Sequence, residues 1–395
     1  MKFEANRSIM LGAAKSVAKI APGTSPVEVL NYILIESDEN TGEVYLTATN
    51  NEVSIRQKVV ASVEQSGSML VRPSLLTGMM SLLDSELVTF SSDGIEVLRV
   101  TGGKCIYKIK CLPSKSYPKP VMPFPEENVI MTGICSLAKR TTFAVSKDKY
   151  RPALQCVKIT LKNNAIHAAA CDAIRMMLVK DVADPTEERD FLLPGRSLQM
   201  LATISSDTDV FEVGDIGDKV AFVRGDMIFT IHKFVTDSYL DTDNVIKGIK
   251  PAYTAVANAD KVKEALNLIS VSALADATKK PINLVLSGSE LIVQCDNDYS
   301  EASMTVPAKI SQDTPDNGFS YDVSALLKLF QVISGKVKIE IDTRGFLLVK
   351  TRNEVYLQAP VRTSAKKGKE TEPAPIKKPR RAKGAEGVKE PKEAA

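Results

Sequence analysis

The sequence predicts an α+β protein made of three copies of one domain and a charged tail. The first observation is a strand–turn–strand unit written three times: Val44 to Ile55, Ile166 to Met177, and Leu291 to Glu301. Each has apolar alternation in its arms and polar residues at its turn. Matching Asn50, Asp172 and Asp296 gives spacings of 172 − 50 = 122 and 296 − 172 = 124 residues. Repeats of roughly 20–50 residues would indicate a solenoid or propeller, whereas this spacing is the size of a whole domain. The second observation is a helix-like apolar segment ahead of each unit: Ile9 to Ile20, Ile134 to Val145, and Val262 to Leu274. The third is a helical segment behind each: Pro73 to Leu83, Gly195 to Ile204, and Val323 to Ile333, with Leu75, Leu198 and Leu326 as matched positions. The expected domains are 1–123, 124–248 and 249–362, with residues 363–395 as a tail.

The bulk composition agrees with several folded domains. Of 395 residues, 44% are hydrophobic and 25% charged, and a single core rarely grows beyond about 250–300 residues. No apolar run approaches the ~20 residues of a membrane span. The start, Met1-Lys2-Phe3-Glu4-Ala5-Asn6-Arg7, lacks the apolar core of a signal peptide, so a cytoplasmic protein is expected. Cys105, Cys111, Cys135, Cys156, Cys171 and Cys295 form no Cys-x-x-Cys pair; they read as small buried hydrophobes in a reducing compartment. The tail carries ten Lys and Arg against five Glu and almost no apolar residue. It cannot bury enough surface to offset its ordering entropy, so disorder is expected. Its basic cluster, Lys377-Lys378-Pro379-Arg380-Arg381-Ala382-Lys383, reads as solvated, with a nucleic-acid contact as the sharper alternative.

Catalytic chemistry is missing from the sequence. The only histidines, His167 and His232, alternate with apolar neighbours in strand-like runs. Thr101-Gly102-Gly103-Lys104 lies between two strands and lacks the spacing of a phosphate loop, so it reads as a hairpin turn, as does Arg224-Gly225-Asp226. No enzyme activity, metal or cofactor is expected.

Basic residues fall instead on the helical segments of all three repeats. Arg7, Lys15, Lys19 and Arg72 belong to the first; Lys139, Arg140 and Arg196 to the second, with Lys149 and Arg151 in the following loop; Lys261, Lys263 and Lys328 to the third. Acids concentrate in strands and loops, such as Glu36-Ser37-Asp38-Glu39 and Asp241-Thr242-Asp243. Helices lining a shared interior, with sheets outside, would make that interior positive. This points to nucleic acid through charge placement rather than net charge.

Specific motifs carry a family resemblance. Met1-Lys2-Phe3, Lys139-Arg140-Thr141-Thr142-Phe143-Ala144-Val145-Ser146, Tyr150-Arg151-Pro152-Ala153-Leu154 and Ala359-Pro360-Val361-Arg362 resemble the bacterial DNA polymerase III beta subunit family, the sliding clamps. The resemblance runs over residues 1–362. It implies three DNA-clamp domains with helices lining the inside and antiparallel sheets outside, assembling as a head-to-tail ring of two subunits. Such a ring encircles double-stranded DNA without reading its sequence, tethers the DNA polymerase III catalytic subunit, and has a clamp loader as a further partner. It also implies a groove for the short motifs of other clamp-binding proteins. The matching positions are Leu154, Cys171, Ala173, Arg175, Met176, Val245, Leu357, Ala359, Pro360, Val361 and Arg362.

Departures fall near that groove. Where the family usually has Thr-Asp-Gly-His-Arg-Leu, this chain reads Cys171-Asp172-Ala173-Ile174-Arg175-Met176. The usual Phe-Pro-Asp-Tyr is Tyr239-Leu240-Asp241-Thr242, and Ala359 replaces a common Met or Leu. The resemblance also places Tyr107 and Ile109, on an edge strand, against the segment around Leu274 of a second subunit. Lys104 and its neighbours would face Asp296, Asp298 and Glu301. The rival expectation is a clamp-fold interaction scaffold that no longer encircles DNA.

Overall fold

The computed structural model describes residues 1–92, 96–182, 188–236, 239–275 and 281–361. The tail expected from 363 onward lies outside the described residues. One order of elements is used three times: strand, helix, four strands, helix, three strands. The first pass is β1 Lys2–Asn6, α1 Arg7–Ala18, β2 Ile33–Asp38, β3 Glu43–Thr49, β4 Val53–Gln65, β5 Gly67–Val71, α2 Pro73–Leu82, β6 Leu87–Ser92, β7 Val97–Gly102 and β8 Cys105–Lys110, followed by a short β9 Leu112–Pro113. The second is β10 Val129–Thr132, α3 Ile134–Thr141, β11 Cys156–Lys162, β12 Ala165–Cys171, β13 Arg175–Val182, β14 Arg189–Pro194, α4 Gly195–Ile204, β15 Val210–Ile216, β16 Lys219–Arg224 and β17 Met227–His232. A short α5 Thr242–Lys247 leads into the third: β18 Pro251–Asn258, α6 Ala259–Ala273, β19 Ile282–Ser287, β20 Glu290–Asp296, β21 Glu301–Ile310, β22 Phe319–Tyr321, α7 Val323–Val332, β23 Lys336–Asp342, β24 Leu347–Lys350 and β25 Glu354–Gln358.

Local chemistry starts these helices. The Asn6 side chain accepts from the Ser8 and Ile9 amides at 2.9 and 3.3 Å, and Asn258 does the same for Asp260 and Lys261 at 2.8 and 3.2 Å. Asp322 caps α7 through the Ala325 amide at 2.9 Å. Each cap satisfies amides that have no partner inside the helix. α2 opens on Pro73, whose missing N–H costs nothing at that position.

Two matched positions shift by one residue. Helices α2, α4 and α7 place Leu76, Leu198 and Leu326 at the same depth, all fully buried, whereas Leu75 is exposed. The hairpin tips are Asx turns: Asn50 accepts from Glu52 and Val53 amides, Asp172 from Ile174 and Arg175, and Asn297 from Tyr299 and Ser300. The third tip is therefore Asn297, not Asp296. Both hairpin turns read from glycine are present, with Gly103 at φ 59° and Gly225 at φ 52°, a region open to glycine at little cost.

All sheet pairings are antiparallel, and two of them cross repeat boundaries. β17 pairs with β4, Met227 opposite Gln57 and Ile231 opposite Val53. β25 pairs with β13, Glu354 opposite Val179 and Gln358 opposite Arg175. Helices in each repeat pack on the inner faces of these sheets. Met10, Val17, Leu76 and Met80 fill the first repeat, Leu137, Leu198 and Leu201 the second, and Leu266, Ile269, Leu326 and Leu329 the third. Each such side chain contributes about 1.5–3 kcal/mol by leaving water.

Candidate nucleic-acid interface and peptide groove

The helix side of the second and third repeats holds a basic cleft of about 770 Å³. Lys139 comes from α3, Arg196 from α4, Lys328 from α7, and Lys147 and Lys149 from the loop after α3; Glu52 is the single carboxylate in its lining. Four expected cations thus converge from three helices and a loop. Lys147 belongs with Lys149 and Arg151 to the basic loop that follows the second repeat's first helix in the sequence. Gln199 and Gln331 add neutral donors. Lys139 lies 3.4 Å from Asp207, a long exposed pair that water competes with. Such a cleft offers exchangeable contacts to phosphate and nothing shaped for a base edge.

The other expected cations are dispersed. Lys15 on α1 and Lys19 just after it are exposed, and Lys19 Nζ donates to the Thr203 carbonyl. Arg7 donates to the Met80 carbonyl at 3.2 Å. Arg72 donates to the Tyr32 hydroxyl at 3.1 Å, with its guanidinium 5.3 Å from that ring's centre. Arg151 is 3.8 Å from Asp148, and Lys261 pairs with Glu264 at 2.9 Å. Lys263 is half-buried on α6.

Arg140 departs from the expectation. Its guanidinium bonds Asp181 on β13 at 3.1 Å and Glu354 on β25 at 3.0 Å, with only 13% of the side chain exposed. Burial alone would lower its pKa, but the two carboxylates hold it raised. It clips the junction of the second and third repeats and is not offered to DNA.

The groove residues assemble around one apolar cluster. Cys171, Met176 and Leu357 form a buried floor with Leu348. Leu154 and Val245 pack on it half-buried, together with Ile246, Ile249, Phe346, Leu178 and Val355, which the sequence pattern did not single out. Burial pushes the Cys171 thiol pKa up, so it acts as a small apolar group. Arg175 turns to Asp172 at 2.7 Å. The Ala359 amide donates to the Ile174 carbonyl and the Val361 amide to the Ser320 carbonyl, both at 2.8 Å, which sets Ala359, Pro360 and Val361 along the rim. Arg362 lies outside the described residues.

Ala173 sits at φ 73°, in the left-handed region where its methyl group is strained and which glycine adopts at little cost. Replacing it by glycine should stabilise the protein by about 0.5–1 kcal/mol. A chemical-denaturation midpoint that falls in Ala173→Gly would contradict this.

The expected subunit contacts lie on two open edges. Among the described residues, β8 ends its sheet and bonds only β7. Its alternation turns Ile109 into the core, 6% exposed, so Ile109 is not a surface contact; Tyr107 is half-buried and Ile106 faces out. Lys104 is in the β7–β8 turn, and Cys105, unlike the other five cysteines, is exposed. At the other end, Glu301 to Val306 of β21 bond only β20 among the described residues, with Asp296 and Asp298 at the preceding turn. Leu274 caps α6, 40% exposed.

Comparison with known proteins bears on the family and the fold. The profile of the DNA polymerase III beta subunit N-terminal domain matches residues 1–123, and that of its central domain matches residues 130–240. A beta sliding clamp of Streptomyces coelicolor is 28% identical over 204 residues, 50% of this chain and 53% of the relative. One from Synechococcus elongatus is 25% identical over 326 residues, 78% of this chain and 84% of the relative. Alignments to the first curated relatives span about half of their length. The Bacillus subtilis DNA polymerase sliding clamp superposes with TM-score 0.83 at 18% identity, covering 92% of this chain and all of that one. A Pseudomonas aeruginosa clamp solved with griselimycin bound gives TM-score 0.79 at 19% identity, again covering 92% of this chain and all of that one. The fold is that of a sliding clamp with repeated domains, and the chain belongs to the DNA polymerase III beta subunit family.

Proposed function

We propose that the protein is a cytoplasmic DNA polymerase processivity factor without catalytic activity, a homodimeric ring that encircles duplex DNA. The observation that carries this is a junction used twice within the chain and left half-made at both ends. In each internal junction the last strand of one repeat pairs with the strand after the Asx turn of the repeat before it. Among the described residues, the first repeat's last strand, β8, and the third repeat's strand, β21, both lack that partner. A second copy supplies both in head-to-tail fashion. Carrying the internal register across puts Cys105 opposite Met304, Tyr107 opposite Ala302, and Lys108 opposite Glu301. Helices also meet at the internal junctions, as Lys19 just after α1 with Thr203 on α4 shows. The matching helices at the open ends are α2 and α6, where Leu82 is 80% and Val271 74% exposed. Water-exposed apolar residues at both ends supply the apolar part of a subunit contact. After loading onto nicked circular DNA, the protein should stay on the circle and leave once it is linearised. Equal retention on both forms would support the scaffold reading instead.

The apolar cluster is then the docking groove for linear motifs of the polymerase, loader and other partners. A peptide of the Gln-x-x-Leu-x-Phe kind should bind at roughly micromolar Kd, about −8 kcal/mol. Because Met176 is fully buried, its truncation also opens a cavity; half-exposed Leu154 and Val245 are cleaner probes. Leu154→Ala with Val245→Ser should weaken the peptide roughly tenfold or more in calorimetry, while deletion of 363–395 should leave it nearly unchanged. Loss of binding through the tail deletion alone would move the site elsewhere.

A further inference from the structure

The outward face of the second repeat's sheet continues past the groove. Strand register sets its residues in rungs: Cys171, Met176 and Leu357, then Ala169, Leu178 and Val355, then His167 and Lys180. Beside these, β11 brings Lys158 opposite Ala169, Thr160 opposite His167, and Lys162 opposite Ala165. A pocket of about 520 Å³ covers the second and third rungs. Leu178 and Val355 line this pocket and also belong to the groove's apolar cluster, so the two are continuous. The Tyr239 hydroxyl, 3.3 Å from the Ala169 carbonyl, pins the 239–241 loop over the sheet.

Charge changes along this path. Three lysines face the pocket from the sheet, against Asp241 from the loop and Asp243 from the first turn of α5. Asp241 caps α5 through the Asn244 amide at 3.0 Å, and Lys158 lies 3.7 Å from Asp190 outside the pocket lining. Burial, with Lys180 and Lys162 nearby, lowers the His167 pKa, so the imidazole is a neutral hydrogen-bonding group at neutral pH. The lining at this far end of the groove therefore carries three lysines against two carboxylates, a net charge of +1.

We propose that this end is part of the binding surface, and that it takes an acidic side chain about four residues beyond the apolar anchors of a groove-bound peptide. The inference rests on the groove reading above. Successive rungs are two residues apart, roughly 6.6–6.8 Å, so the first and third are about 13 Å apart, the span of four extended residues. Continuity with the groove and the sign of its charge select an acidic segment of a partner protein as the occupant.

Fluorescence anisotropy with three labelled peptides tests this. All share the same apolar anchors; two carry a pair of Glu four residues beyond one end or the other, and the third carries Gln there. One acidic peptide should bind roughly three- to tenfold tighter than the neutral one at low salt. That gain should vanish in Lys158→Ser/Lys162→Ser/Lys180→Ser and in high salt, while the neutral peptide binds wild type and variant alike. Equal affinity of all three peptides, or a gain that survives the substitutions, would overturn the extension alone. Failure of every peptide to bind would overturn the groove reading and the extension with it. Displacement of the acidic peptide by a short oligonucleotide of equal charge, with no gain over the neutral peptide, would assign the lysines to nucleic acid and also overturn it.

Discussion

Replacing Lys139, Lys149, Arg196 and Lys328 together by Glu is expected to lower association with duplex DNA by about three to four orders of magnitude near 0.1 M salt. These side chains share one cleft. Each phosphate contact adds about −0.9 to the slope of log K against log salt, a factor of roughly eight at that concentration. Four contacts multiply to about 10³–10⁴, and the salt slope should flatten by about 3–4. Each single reversal should cost roughly tenfold or less, because a ring that slides cannot rest on one strong contact. Loading rate and salt-dependent binding of linear duplex both read this out. One substitution that abolished binding, or a quadruple variant with an unchanged salt slope, would contradict the distributed cleft.

Arg140→Ala should do the opposite, leaving the salt slope alone and costing stability. It removes the partner of two largely buried carboxylates, Asp181 and Glu354, whose side chains are 28% and 15% exposed. Breaking such a group by taking away one member costs about 2–4 kcal/mol, because the remaining charges stay desolvated and unpaired. Adding Asp181→Asn and Glu354→Gln should recover part of that loss, since the stranded charges are then gone. Denaturant midpoints across the series check this. A single Arg140→Ala variant of full stability but weakened DNA binding would return Arg140 to the interior cations.

The repeat was legible because its spacing is large, recurs three times, and is marked by strands, turns and helices in one order. The one-residue slips have local causes. Asp296-Asn297-Asp298 offers three residues able to form an Asx turn, and only the bonds to Tyr299 and Ser300 pick out Asn297. Leu75-Leu76 offers two leucines, and only helix phase buries the second. The inward turn of Ile109 was available from the alternation Lys108-Ile109-Lys110 and was overridden by the resemblance. Arg140 was not readable. Asp181 stands 41 residues away in the same repeat, and Glu354, 214 residues away, meets it only after two domains join. The same holds for Phe346, Ile249 and Leu348 in the groove, which are ordinary apolar residues until β24 and the segment after α5 are brought beside β13.

Ring closure is the central claim, and one substitution tests its register. Cys105 is exposed at the start of β8, and under the proposed closure, with the internal register carried across, it would lie opposite Met304 of a second copy. Met304→Cys should therefore form a disulfide with native Cys105 under mild oxidation, giving a covalent dimer on non-reducing electrophoresis. Cys105→Ser in the same background should abolish it. Loaded on nicked circular DNA, the oxidised ring should resist removal by salt until reductant is added. A chain that stays monomeric at micromolar concentration, or that cross-links through Lys108→Cys and Met304→Cys but not through Cys105, would contradict head-to-tail closure in this register.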